Sequence, residues 1–264
     1  MSIVAITGDH PRHTYLVSCL KNAGLLSGWV RETRESFVPK APNDLNARLT
    51  ELYNLHFERR EEAEQRFFGD SDVERLNPYL VERSQLNSSA VIEFIRSRSP
   101  RVVISYGCHK LSAEMRESVG SVFWNTHGGL SPQYRGVITH FWPSYMLEPQ
   151  FTGMTLHETT DHLDGGAVIH QTAARLVKGD GLHDLCARTV KAYADEISGL
   201  LKNALDKSVL PRGLSQANTG KLWTMDDWRP EHLGLIYETY GDRIVDRVLD
   251  GTLKGRTPKL TSVL

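Results

Sequence analysis

The chain has 264 residues, with 31 Lys and Arg against 32 Asp and Glu, a net charge of −1 and a pI near 6.8. That balance excludes the basic surface of a nucleic-acid binder, and 40 % hydrophobic with 24 % charged residues is ordinary globular composition. The length suits one large domain, or one domain with a smaller appendage. Cys19, Cys108 and Cys186 are far apart and form neither a CxxC pair nor a zinc spacing. The expectation is no metal site and thiols kept in a reducing cytoplasm. The N-terminal Met-Ser-Ile-Val-Ala-Ile-Thr lacks the basic start of a secretory leader. No apolar run nears the roughly 20 residues that span a bilayer, so no membrane partner is expected.

In chain order, Ser2 to Thr7 is a β-branched run ending at Gly8, read as a buried parallel strand. Leu16, Val17, Leu20 and Ala23 give His13 to Ala23 a helical period closed by Gly24. Leu25 to Arg31 is the next strand, which completes a βαβ unit with a right-handed crossover. Asn43 to Phe68 reads as one or two amphipathic helices, with Arg59, Arg60, Glu61, Glu62, Glu64 and Arg66 as a solvated face. Asn87-Ser-Ser caps a helix bearing Val91, Phe94 and Ile95. Val102 to Tyr106 is a third strand, Ser112 to Val119 a short helix, and Ser121 to Trp124 a fourth strand.

Ile138 to Leu147 reads as a helix that Pro143 bends or ends. Gly153 to Glu158 and Ala167 to Gln171 are strands flanking the reversal at Asp164-Gly165-Gly166. Leu182 to Leu205 is the longest helix, with apolar residues at a 3.6-residue period. Composition changes near 208 to 215, which divides a catalytic domain, 1–208, from a C-terminal extension, 209–264. Two short helices are expected there, Glu231 to Tyr240 and Asp242 to Leu249.

The chemistry concentrates at Asn125-Thr-His127 and Asp164. An imidazole can take a proton from an attacking amine. An amide N–H can stabilise a developing oxyanion, and a carboxylate can fix the imidazole tautomer. Each piece has a plainer reading alone: Asn-x-His is common, and Asp before Gly-Gly is an ordinary turn. Their joint order is what carries weight.

Asn125-Thr-His127-Gly-Gly-Leu-Ser-Pro-Gln-Tyr-Arg-Gly136 resembles the Asn-x-His…Leu-x-Pro-x-[Tyr/Phe]-[Arg/Lys]-Gly signature of the N10-formyltetrahydrofolate-dependent formyltransferases. Thr152-Gly-Met-Thr-Leu-His157 and Asp161-His-Leu-Asp164-Gly-Gly-Ala-Val-Ile169 resemble that family's Gly-x-Thr-x-His…Asp-x-Gly-x-Ile segment. The resemblance covers residues 100 to 206 well and the first βαβ unit loosely. It implies an α/β fold, a Rossmann-like core with a mostly parallel sheet and a small C-terminal appendage, with co-substrate and acceptor meeting at the strand ends. It also implies His127 as base, Asn125 as holder of the formyl oxygen, Asp164 as its partner and His157 in support. Tyr106, Gly107, Cys108, His109 and Lys110, with Asp161, His162 and Leu163, match the family's pterin contacts. Cys108 is otherwise read as a buried or loop thiol, with a nucleophile as the alternative.

The acceptor is less legible. Gly8-Asp-His-Pro-Arg-His13 has one Gly and a Pro where purine-pathway members carry a Gly-rich phosphate loop. The tail is too short for the barrel domain of the methionyl-tRNA members. What remains resembles the amino-sugar N-formyltransferases of surface-polysaccharide pathways, whose partner is a nucleotide-linked sugar. His10, Arg12, His13, Arg135 and Trp124 are then the substrate-binding candidates. The plainer readings are a helix cap for His10 and His13, a loop brace for Arg135, and core for Trp124 with Phe141, Trp142 and Tyr145. Alternatives are another amine (an amino acid, hydroxylamine, siderophore precursor or glycinamide ribonucleotide), or a binding protein without turnover. The aromatic tail is a candidate homodimer interface.

Overall fold

Short Val- and Ile-rich runs flanked by helices form parallel strands covered on both faces. The computed structural model describes residues 2–34, 38–69, 73–216 and 220–264. β1 (Ile3–Thr7) is buried throughout. α1 (Pro11–Asn22) starts on Pro11, whose missing N–H would have no acceptor there. β2 (Leu26–Glu32) pairs parallel to β1. α2 (Ala47–Phe68) is one unbroken helix, and the Asn46 side chain accepts from the Leu49 N–H at 2.9 Å. α3 (Val73–Leu76), edge strand β3 (Tyr79–Val81) and α4 (Ser89–Ser97) lead to β4 (Val102–Tyr106). α5 (Ala113–Val119), β5 (Val122–His127), β6 (Tyr134–Gly136) and α6 (Trp142–Tyr145) follow. β7 (Gly153–Glu158), β8 (Val168–Ala173) and α7 (Leu182–Leu205) complete the core, and β9 (Lys221–Trp223) and α8 (Ile244–Leu249) lie in the tail.

The main sheet has seven strands in the order β3-β2-β1-β4-β5-β7-β8. It is parallel from β3 to β5, then antiparallel through β7 and β8. From β1 the chain moves outward through β2 and β3, then returns to place β4 on the other side. The crevice at the carboxyl ends of β1 and β4 is therefore a topological switch point, where open α/β sheets bind ligands. Strand alternation divides the core. Val4, Ile6, Val103 and Phe123 pack with Ile95 and Met115 on one face. Ile3, Ala5, Ile104 and Trp124 pack with Leu16, Leu20, Val190 and Ile197 on the other.

Several expectations need correction. β5 runs on to His127, so Asn125 and His127 lie on the strand and share one face, while Thr126 turns to the Tyr193 hydroxyl at 3.0 Å. Trp124 is 1 % exposed inside the core, which removes it from the substrate contacts. Glu64 is 5 % exposed and Arg60 lines a cavity, so the charged face of α2 is not wholly solvated. The expected helix at 138–147 is the single turn α6, with Pro143 in its first positions. The three-residue edge strand β3 had no sequence signal. In the tail, the first expected helix is a 3₁₀ turn (Pro230–His232) and a π turn (Leu235–Thr239), with α8 after them. Leu233 and Ile236 pack with Leu130, Phe141 and Trp142. β9 pairs with β6, and the Val263 N–H donates to the Ile169 carbonyl at 2.9 Å.

Candidate active site

The end of β5, the end of β7 and the loop after it bring Asn125, His127, His157 and Asp164 together. Backbone groups fix most of their orientations. The Nε2–H of His127 donates to the Tyr134 carbonyl at 2.8 Å. A neutral ring so placed carries its lone pair on Nδ1, 3.4 Å from Asp164 Oδ2. The tautomer is thus set by Tyr134, a role the sequence reading gave to the carboxylate. His157 Nδ1 donates to the Glu158 carbonyl at 2.8 Å, which leaves Nε2 to accept from Asn125 Nδ2 at 3.2 Å. Asn125 Oδ1 accepts from the Ser105 hydroxyl at 2.8 Å, so the amide is held in one sense and has a second N–H to offer.

Asp164 is 6 % exposed and sits in the left-handed region at φ 47°. Its Oδ2 accepts from the Gly136 N–H at 2.8 Å, and its Oδ1 lies 3.3 Å from His157 Nε2. Gln216 clamps the loop by donating to the carbonyls of Asp164 and Gly166, both at 2.8 Å. Burial alone would raise the Asp164 carboxyl. The adjoining His127 and His157 rings and the Gly136 N–H outweigh it and hold the group down at about 2. Burial lowers the His127 imidazole, against the pull of Asp164 and the Tyr134 carbonyl. A neutral base beside a charged carboxylate is the resting state these forces favour.

A cavity of about 690 Å³ opens onto this cluster. All eight expected pterin contacts line it: Tyr106, Gly107, Cys108, His109, Lys110, Asp161, His162 and Leu163. Their loops are tied together, with Lys110 Nζ donating to the Asp161 carbonyl at 3.3 Å. Gly107 has φ +64°, and a Cβ there would stand 2.3 Å from the His13 ring. Glu32, at the end of β2, is fully buried. It accepts from the His109 N–H at 2.9 Å and lies 2.7 Å from His109 Nδ1. Burial, then Glu32, pushes the Cys108 thiol up to about 12, which favours the plain thiol reading over the nucleophile.

The other end of the cavity is lined by Arg12 and His13 of α1, as expected, and by residues that sequence reasoning missed. His56, Arg60 and Glu64 come from one face of α2, His183 and Cys186 from α7, and His140 from the loop before α6. A signal was present in the four-residue spacing of His56, Arg60 and Glu64. Arg12 Nη2 pairs with Glu64 Oε1 at 2.6 Å, and His56 Nδ1 lies 3.1 Å from His183 Nε2. His10 occupies the α1 N-cap without a capping side-chain bond, and stacks on His13 at 5.1 Å. It is not among the lining residues, and neither is Arg135, whose guanidinium lies beside Gly165. Among the described residues no cluster of His, Cys, Asp or Glu is placed to hold a metal ion, and no helix is long and apolar enough to cross a membrane.

A family model described as formyl transferase matches residues 54–198. Among solved structures, an N-formyltransferase from Helicobacter canadensis in complex with folinic acid and dTDP-3-aminofucose is 14 % identical, covers 98 % of this chain and 85 % of its own, and has a TM-score of 0.57. A formyltransferase from Anoxybacillus kamchatkensis in complex with UDP-4,6-dideoxy-4-formamido-L-AltNAc and tetrahydrofolate is 16 % identical, covering 92 % and 96 % with a TM-score of 0.50. Phosphoribosylglycinamide formyltransferase from Anaplasma phagocytophilum is 17 % identical, covering 85 % and 98 % with a TM-score of 0.54. At these identities the likeness is one of fold.

Proposed function

The chain belongs to the formyl transferase family, and from that premise we propose that it transfers a formyl group from N10-formyltetrahydrofolate to a primary amine of a small molecule, of the nucleotide-linked amino-sugar class. The convergence of Asn125, His127 and Asp164 on one cavity carries the reading. The ligands named for the Helicobacter and Anoxybacillus proteins, a folate with a dTDP- or UDP-linked sugar, support the choice of substrates.

N10-formyltetrahydrofolate supplies the formyl carbon, and the loops at 106–110 and 161–163 are where this chain would hold it. His127 Nδ1, its lone pair left free by the Tyr134 bond, takes the proton that the amine loses on attack. Asp164 stabilises the imidazolium so formed, which then returns the proton to the departing nitrogen. The second Asn125 N–H donates to the oxyanion as the carbonyl carbon becomes tetrahedral. Because Ser105 and His157 already hold that amide, little reorganisation accompanies the step.

Incubation of the full chain with N10-formyltetrahydrofolate and dTDP- or UDP-linked amino sugars should add the mass of one formyl group to the sugar amine. Failure to formylate any of a panel of nucleotide amino sugars, amino acids and hydroxylamines would remove the transfer reading.

A further inference from the structure

Two parts of the C-terminal extension, Gln216 and β9, reach the His127 and Asp164 cluster from beyond the residues that the family model matches, 54–198. β6 lies between β9 and that cluster. Its Tyr134 carbonyl accepts from His127 Nε2 at 2.8 Å, and its Gly136 N–H donates to Asp164 Oδ2 at 2.8 Å. Successive residues of a strand turn their backbone groups to opposite edges, so the far edge of β6 belongs to Arg135 and its neighbour Val137. β9 covers that edge, and among the described residues the second sheet is β6 and β9 alone. The Val137 N–H donates to the Trp223 carbonyl at 2.9 Å, and a Cβ on Gly136 would stand 2.0 Å from the same oxygen. The Trp223 ring stacks on buried Trp142 at 4.1 Å and lies parallel to Tyr134 at 6.5 Å. Upstream, the Gly213 N–H donates to Glu158 Oε1 at 3.0 Å, Leu214 bridges to Val168, and Gln216 holds the Asp164 and Gly166 carbonyls. Neither Gln216 nor Trp223 lines the cavity.

We propose that the extension is a positioning part of the active site: β9, through Trp223, holds β6 in place for His127, and Gln216 holds the Asp164 loop. The inference rests on the formyl-transfer reading and adds to it two residues that touch no substrate. A strand as short as β6 is not stable by itself, and β9 is the sheet partner that fixes its register. Asp164 sits in the left-handed region at φ 47°, a conformation that a residue other than glycine keeps only where its surroundings impose it. Gln216 imposes it through both hydrogens of one amide nitrogen.

The test reads His127 and Gly136 by NMR in the intact chain, beside turnover. In wild type the His127 ring should show one tautomer, protonated at Nε2. Trp223→Leu should mix the two tautomers and lower kcat about tenfold, and Trp223→Phe, which keeps a stacked ring, should restore both. Trp228→Leu removes another half-buried tryptophan of the extension, one that packs on Tyr53 and Phe141, and should leave the tautomer unchanged. Gln216→Met keeps the length of the side chain and loses both donated bonds. Its Gly136 amide, freed as Asp164 moves, should exchange with solvent about tenfold faster while the amides of β4 keep their rates, and kcat should again fall about tenfold. Should Trp223→Leu not fold, Gln216→Met decides alone. One tautomer in folded Trp223→Leu, equal mixing in Trp228→Leu, or unchanged Gly136 exchange in Gln216→Met overturns the proposal. A wild-type chain that formylates no amine defeats the formyl-transfer reading, and the tautomer and exchange measurements still decide the role of the extension.

Discussion

The two ends of the cavity are built differently. At the strand ends, main-chain groups hold the reactive side chains: the Tyr134 carbonyl sets His127, the Gly136 N–H sets Asp164, and the Glu158 carbonyl sets His157. At the helical wall, side chains hold one another: Glu64 sets Arg12, and His183 and the Tyr237 hydroxyl set His56. Main-chain anchors are tied into strands, Tyr134 and Gly136 into β6 and Glu158 into β7, so they move only with those strands. Side-chain anchors can be exchanged one at a time, so the wall can vary while the strand ends stay constant.

The largest expected effects therefore lie at the strand ends. His127→Ala and Asp164→Asn should each lower turnover by at least about 100-fold while the fold survives. The asparagine can still accept from the Gly136 N–H, so its loss would report the charge rather than the loop. Near-normal turnover in either purified variant would sink the assignment.

Gly129→Ala tests whether the main chain is the true anchor. A Cβ there would stand 2.4 Å from the Tyr134 carbonyl oxygen and 2.6 Å from His127 Nε2, against both ends of their hydrogen bond. Turnover should fall roughly 30-fold, with a stability loss of about 1–3 kcal/mol from overpacking. Gly199→Ala, on α7 with nothing within 4 Å of the new methyl, is the control. It should gain about 0.5–1 kcal/mol and keep its activity. Equal behaviour of the two variants would show that crowding at His127 does not matter.

The strand ends were legible in the sequence for a physical reason. Asn125 to Gly136 and Gly153 to Ile169 each form a contiguous stretch, so the reactive residue types and the turns that hold them fall in two short, readable motifs. The loops at 106–110 and 161–163 were legible on the same ground. The wall joins α1, α2 and α7, whose contacts lie 52 residues apart for Arg12 and Glu64 and 127 for His56 and His183, and the polar stripe of α2 looks like any solvated face until α1 and α7 cover it. Trp124 failed in the opposite direction. An aromatic beside a catalytic Asn invites a binding role, yet strand alternation turns it to the other face of the sheet. Arg135 lies on β6 beside Gly165, close enough for its charge to act on His127. The short edge strand β3 has too few residues to show a period.

Glu32 gives a smaller effect that separates binding from chemistry. Glu32→Gln weakens the hold on His109 but leaves Asn125, His127 and Asp164 in place. The KM for the folate should rise about tenfold, with kcat changed much less, because the loop is positioned rather than reactive. An equal fall in kcat would place Glu32 in the chemistry.

The smallest expected effect is the response of activity to mild acid. The proposed mechanism needs the base form of His127, and burial holds its pKa below the ordinary 6.5, so at pH 6.5 more than half of the chains keep an unprotonated ring. Between pH 8 and 6.5, kcat/KM should fall by less than about twofold, and the acid limb should lie lower. Stability changes over an overlapping range. His10, His56 and His140 are held near 3 in the folded chain, chiefly by burial. Below pH 6.5 the unfolded chain binds protons that the folded chain refuses, and stability falls by up to about 1.4 kcal/mol per pH unit for each histidine. Above 6.5 both states leave these rings neutral and the contribution is complete. Asp164, held near 2 against an ordinary 3.8, loses its contribution only across that lower window. Urea denaturation at pH 7.5, 6 and 5 measures the first slope, and His56→Gln should reduce it by one histidine's share. An acid limb of kcat/KM centred above pH 6.5, with denaturation still flat there, would mean that His127 is not the neutral buried base its surroundings describe.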